Sequence, residues 1–194
     1  MSDPSLAPRL PLDDVSLPSG PRFSLADRPP AIRFIFRGGE AARVACSTAF
    51  DADLPRQLRS AGEGDERAAF WLGPDEWLLI AEDLDPEILF AEIEATLGTI
   101  PHSLVDVSHR QVGLDVGGAL AARAISAGCP LDLRISAFPI GMATRTIFDK
   151  AEIVLWRRAE TEFRLEVWRS FAPYLVAALT VAARDAPSWQ AYRS

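Results

Sequence analysis

Apolar and polar positions change period several times along this chain, and each change marks an element. Ile32 to Arg37 is a short β-prone run closed by Gly38-Gly39. Ala68–Leu72 and Glu76–Ala81 are two more apolar runs, and Gly73-Pro74-Asp75 between them signals a hairpin. Leu89, Ile93 and Leu97 then recur at helical spacing. Asp85 is the N-cap of that helix, Pro86 takes its first position and Gly98 ends it. Glu87, Glu92 and Glu94 form its solvated face.

Further on, Ser103–Ser108 and Gln111–Val116 predict strands, and Gly117-Gly118 opens an Ala-rich helix, Ala119 to Ala127, that Gly128 closes. Pro130 to Pro139 is a connection. Ala143–Phe148, Ile153–Trp156 and Glu162–Trp168 predict three more strands. In the last, Phe163, Leu165 and Val167 share one face, while Arg164, Glu166 and Trp168 share the other, which the alternation assigns to water. A final helix runs from about Phe171 to Arg184, with Ser170 as its cap and Leu175, Leu179 and Ala182 inward. Residues 40–50 are ambiguous, and Arg59 to Arg67, with Gly62 and Gly64, read as a loop.

The halves echo each other: Trp71, a turn, then Trp77 and Leu79 lead to one helix, and Trp156, a turn, then Phe163 and Leu165 lead to another. The predicted class is α+β: two pseudo-repeated lobes of antiparallel strands, about 31–108 and 109–186, with helices packed on one face. Residues 187–194 are a tail. Residues 1–30 hold 7 of the 15 prolines and read as an extended, irregular arm. The arm also carries Leu6, Leu10, Leu12, Val15, Leu17, Phe23 and Leu25, so it is either a disordered leader or a segment laid on this domain or another chain.

Composition narrows the function classes. The 194 residues carry 20 basic and 27 acidic side chains, a net charge of −7, which argues against general nucleic-acid binding. No apolar run is long enough for a membrane-spanning helix, and no charged-then-apolar leader is visible, so a cytoplasmic location is expected. Cys46 and Cys129 are too few for a disulfide framework. Phosphate-cradling glycine motifs, metal-spaced His and Cys clusters and a nucleophile elbow are all absent, so no catalytic residue and no metal ligand is assigned. One polar run stands out: Asp106-Val107-Ser108-His109-Arg110. A carboxylate, a hydroxyl, an imidazole and a guanidinium so close together suit acid–base work or anion binding. They equally suit a strand end where Asp106 and Ser108 cap a turn and His109 is exposed.

Several blocks carry a resemblance. Leu104-Val105-Asp106-Val107-Ser108-His109-Arg110, Val112-Gly113-Leu114-Asp115-Val116 and Gly128-Cys129-Pro130-Leu131-Asp132-Leu133 resemble the gamma subunit of heterotetrameric sarcosine oxidase. So do Ala143-Thr144-Arg145-Thr146, Ala151 to Trp156, and Phe163 to Leu175. The resemblance spans roughly residues 68–180, in order. It implies a bacterial flavoenzyme of four different subunits that oxidatively demethylates sarcosine to glycine, passing the one-carbon unit to tetrahydrofolate or releasing formaldehyde. It implies alpha, beta and delta subunits as partners, with the flavins (FAD and FMN), NAD and folate in alpha and beta and zinc in delta. This chain would then be an accessory, non-catalytic subunit without a cofactor of its own.

The same blocks are more distantly similar to the aminomethyltransferases of the glycine cleavage system, which implies the folate-binding fold of that family. The transferases' acidic pair is Ala151 and Glu152 here, and their Asn-rich segment reads Trp168-Arg169-Ser170-Phe171. These departures weigh against folate chemistry. The alternative, a free-standing folate-binding protein or aminomethyltransferase-like enzyme, would use a cleft holding Asp106, His109, Arg110 or Glu152. Cys129, followed by Pro130, does not match the reactive-cysteine motif of the folate-binding iron–sulfur assembly factors. For the accessory reading, the candidate partner-facing residues are Trp156, Arg164, Trp168 and Arg169, because exposed aromatics beside arginine are typical of interface cores. Such a surface could also drive self-association of the isolated chain.

Overall fold

A computed structural model describes residues 10–57, 61–64, 66–82 and 85–185. Leu6, Arg59 and the 187–194 tail lie outside the described residues. The elements run β1 (Ser24–Asp27), β2 (Ile32–Gly38), α1 (Glu40–Phe50), β3 (Ala61–Gly64), β4 (Arg67–Gly73), β5 (Glu76–Ala81), α2 (Pro86–Leu97), β6 (His102–Asp106) and β7 (Gln111–Gly117). Then follow α3 (Ala121–Ser126), β8 (Ala143–Phe148), β9 (Ala151–Ala159), β10 (Glu162–Trp168) and α4 (Ala172–Asp185). None of the described helices is long and apolar enough to cross a membrane.

The strands form two 5-stranded antiparallel sheets, ordered β3-β4-β5-β2-β6 and β8-β9-β10-β7-β1. Helices α1 and α2 cover the outer face of the first sheet through Ala42, Cys46, Phe50, Leu89 and Ile93. Helices α3 and α4 cover the second through Ala124, Ile125, Leu175 and Leu179. The inner faces meet at Phe70, Leu78, Ile80, Val154 and Trp156. The molecule is therefore helix, sheet, sheet, helix, and the α+β, pseudo-repeated expectation holds. β2, α1, β3, β4, β5 and α2 correspond in order to β7, α3, β8, β9, β10 and α4.

The repeat includes an exchange. β1 precedes β2 in the chain but pairs with β7, with Leu25 opposite Val116. β6 precedes β7 but pairs with β2, with Val105 opposite Ile35. Each half lends its leading strand to the other's sheet. The described part of the Pro-rich arm is thus laid on this domain, and Leu12, Phe23 and Leu25 join the core under α3 and α4. Pro29-Pro30 carries the chain from one sheet to the other.

Local chemistry explains what was legible. Asp85 accepts hydrogen bonds from the Glu87 and Ile88 amides, Pro86 opens α2, and Gly98 takes a positive φ of 53° after it. The ambiguous 40–50 stretch is α1, whose cap makes no side-chain hydrogen bond; packing of Ala42, Cys46 and Phe50 settles it. Two expectations are corrected here. Part of the 59–67 loop is strand β3, whose glycines weaken propensity but which pairs with β4, Gly62 opposite Ala69. The Ala119–Ala127 helix shortens to α3, because Gly118 (φ 100°) and the Leu120 turn precede it.

Candidate functional site

The two sheets do not meet through apolar contacts alone. At one end of the interlayer, six charged side chains form a chain of ion pairs. Arg33 on β2 donates from Nε to Glu166 on β10 at 2.6 Å. Arg164, also on β10, donates from Nε to the other Glu166 oxygen at 2.7 Å and from Nη1 to Glu82 at 2.9 Å. Arg28, just past β1, donates to Glu82 at 2.7 Å and to Asp115 on β7 at 2.9 Å. Arg33 is 1% exposed and Glu166 2%, so these charges are out of water and hold one another. Burial pushes the Glu82 carboxyl up, yet the hydrogen bonds and charges of Arg28 and Arg164 outweigh it and hold the group below its ordinary value. Gly113 makes the crowding possible: a Cβ there would lie 2.9 Å from Glu166 Oε1 and 3.2 Å from Arg33 Nη2.

This network corrects two sequence expectations. Arg164 and Trp156 are candidate partner-facing residues on the sequence, but both are buried within the chain, at 4% and 7%. Trp156 packs on Phe70 of the other sheet, ring centroids 5.2 Å apart. Strand alternation identifies residues that share a face but not what covers the face, and here it is a second sheet. Sequence reasoning also missed Arg33, Glu166, Glu82 and Arg28. The signal was present in Ile32-Arg33-Phe34, a charge inside an apolar run.

Trp168 and Arg169 are exposed, Trp168 by 40%. The Arg110 guanidinium lies 5.0 Å from the Trp168 ring centroid, and Phe171 is half-exposed nearby in the chain. The Arg169 amide donates to the Arg110 carbonyl at 2.9 Å, which ties the end of β10 to the turn before β7. One end of the second sheet thus presents a rim of Arg110, Trp168, Arg169 and Phe171.

The Asp106–Arg110 run sits on that turn. Asp106 Oδ1 accepts from the Ser108 amide at 2.8 Å and the Ser108 hydroxyl at 2.6 Å. Ser108 Oγ in turn accepts from the Arg33 amide at 2.9 Å, and His109 is exposed. The run is a turn that also closes the sheet-to-sheet crossing. Glu152 lies in the other sheet, exposed at the start of β9, and makes no hydrogen bond or ion pair with Asp106, His109 or Arg110. Among the described residues, no group of three or more His, Cys, Asp or Glu side chains could hold a metal ion. Burial pushes the Cys46 thiol up to about 12 and also raises Cys129, so neither is a thiolate nucleophile at neutral pH.

A cleft of about 90 Å³ opens beside the network. Arg28, Arg33, Ser108, His109, Gln111 and Arg169 supply its polar walls, with Asp27 the one carboxylate. Burial raises the Asp27 carboxyl above its ordinary value. Leu10, Pro11, Pro29, Pro30 and Val112 complete the lining.

The fold is shared with part of an aminomethyltransferase. Aminomethyltransferase T of the glycine cleavage system from Bartonella henselae superposes with a TM-score of 0.60 at 16% identity, over 83% of this chain and 48% of that one, a likeness of fold alone. The closer kinship is particular. Residues 38–185 match the sarcosine oxidase, gamma subunit family, and the chain belongs to that family. It is 34% identical over 123 residues to sarcosine oxidase subunit gamma of Arthrobacter sp., covering 63% of this chain and 60% of that relative's length. It is 32% identical over 139 residues to the gamma subunit of Corynebacterium sp. (strain P-1), covering 71% of this chain and 68% of the relative. A chain of heterotetrameric sarcosine oxidase from Corynebacterium sp. U-96, in complex with pyrrole 2-carboxylate, superposes with a TM-score of 0.84 at 26% identity. That match covers 92% of this chain and 95% of the other.

Proposed function

We propose that this chain is the accessory gamma subunit of a heterotetrameric sarcosine oxidase, and that it supports assembly rather than catalysis. The observation that carries this reading is the near end-to-end superposition on a chain of such a complex. In this reading the partners are alpha, beta and delta subunits. The flavins, NAD, folate and zinc reside in those partners, and the assembly works in the cytoplasm. The reaction is oxidative demethylation of sarcosine to glycine.

The rim of Arg110, Trp168, Arg169 and Phe171 is the proposed anchor. A cation stacked on an exposed aromatic offers both apolar area and charge to a partner. The network behind it keeps the two sheets, and hence the rim, in one geometry. Free-standing folate binding is the weaker reading. Asp106 spends an oxygen on Ser108, and Glu152 lies in the other sheet.

Omission tests the proposal. The neighbouring genes are expressed with and without this chain, and sarcosine-dependent peroxide is measured. Loss of an assembled, active flavoprotein when the chain is left out supports it. Full activity without the chain, together with saturable tetrahydrofolate binding by the chain alone, overturns it.

A further inference from the structure

Independently of any assembly role, we propose that the cleft beside the ion-pair network is a binding site for a small organic carboxylate. Three observations meet there. The first is unspent hydrogen-bonding capacity. Arg33, with Nε given to Glu166 and Nη1 to the Ala31 carbonyl, leaves Nη2 without a protein acceptor. Arg28 gives Nη1 and Nη2 to carboxylates and leaves Nε without one. Gln111, 7% exposed, leaves its amide oxygen unpartnered, and rotation of that amide offers an N–H instead. Buried N–H groups without acceptors carry a cost that a carboxylate oxygen removes, and guanidinium–carboxylate hydrogen bonds are among the strong ones.

The second observation is charge. Arg28, Arg33 and Arg169 line the cleft with Asp27 as the one carboxylate in its wall, and the carboxylates paired with Arg28 and Arg33 (Glu82, Asp115 and Glu166) lie outside that lining. The third is size and the nature of the remaining wall. An engineered cavity of about 150 Å³ accepts benzene. About 90 Å³ therefore takes a smaller molecule, with its apolar end toward Leu10, Pro11 and Pro29. Arg33 Nη2, Arg28 Nε and the Gln111 oxygen are all buried, so binding at them requires the Gln111 amide to turn and the cleft wall to open.

Propionate is the probe, added to the full chain with isotope-detected backbone amides. Propionamide, equal in shape and uncharged, is the control. The expected result is saturable one-to-one binding, with shifts concentrated at residues 27–33 and 108–112, and at least tenfold weaker binding of propionamide. Gln111→Leu, folded by circular dichroism, weakens propionate at least fivefold. The proposal is overturned by no saturation at tens of millimolar, by equal binding of acid and amide, or by shifts that map elsewhere. The wild-type shift map decides the matter even if Gln111→Leu fails to fold.

Discussion

Glu166→Gln probes the ion-pair network with almost no change in shape. Glu166 is 2% exposed and each of its oxygens accepts a guanidinium N–H, from Arg33 at 2.6 Å and Arg164 at 2.7 Å. The amide removes the negative charge that two buried cations share, and its NH2 end meets an arginine donor head on. Arg164 retains Glu82, and Arg33 retains only the Ala31 carbonyl. Removing one partner from a buried ion pair costs about 3–5 kcal/mol, because the other charge stays buried. With a urea slope of about 2 kcal/mol per molar, the midpoint falls by about 1.5–2.5 M. The assay is urea unfolding followed by circular dichroism, with equal slopes for both proteins. A loss below about 1 kcal/mol refutes the reasoning, as the cost then resembles that of a surface pair. A companion test removes the charges together: Arg33→Met, Glu166→Leu and Arg164→Met combined is expected to be more stable than Glu166→Gln alone.

The remaining predictions follow from neighbouring features. Gly113→Ala places a methyl 2.9 Å from Glu166 Oε1 and is expected to cost about 1–3 kcal/mol in thermal unfolding; an unchanged midpoint would show that the network gives way freely. Leu25→Ala on the exchanged strand β1 is expected to cost about 2–5 kcal/mol, whereas a loose arm would lose nothing. His102 is raised from 6.5 first by its hydrogen bond to the Ile100 carbonyl and then by Glu94, with burial opposing. Its stabilisation is therefore full below 6.5 and lost as pH rises through the folded value. Ring-proton titration of the two histidines checks this, and Glu94→Gln must lower the His102 midpoint. Trp168→Ala is expected to weaken partner binding by about 2 kcal/mol while leaving the isolated chain's melting nearly unchanged; normal assembly would remove Trp168 as an anchor.

What the sequence made legible was local. The α2 boundaries follow from Asp85, Pro86 and Gly98, each acting on its own backbone, and β10 follows from strict alternation between Phe163 and Val167. What stayed hidden was set by partners distant in sequence. β1 is a strand because β7 supplies its ladder, and β3 because β4 does. Helix α1 emerges from packing against β2 and α2. For the same reason Arg164 and Trp156, read as outward, proved to be interlayer residues. The Asp106 turn is one of the two alternatives the sequence offers, and Trp168 and Arg169, candidate partner-facing residues on the sequence, are exposed. Their neighbour Arg110 was seen as a cleft residue, whereas its place over the Trp168 ring depends on the Arg169–Arg110 tie between strands.

The most direct test of the accessory-subunit account is purification of the tagged chain after co-expression with the genes beside its own. Absorbance spectra and native mass are recorded on the product, beside the chain purified alone. The account predicts a yellow complex of four different subunits with one copy of this chain, and a colourless chain in isolation. A chain that purifies by itself from the co-expressing cells, with no flavoprotein attached, would contradict it.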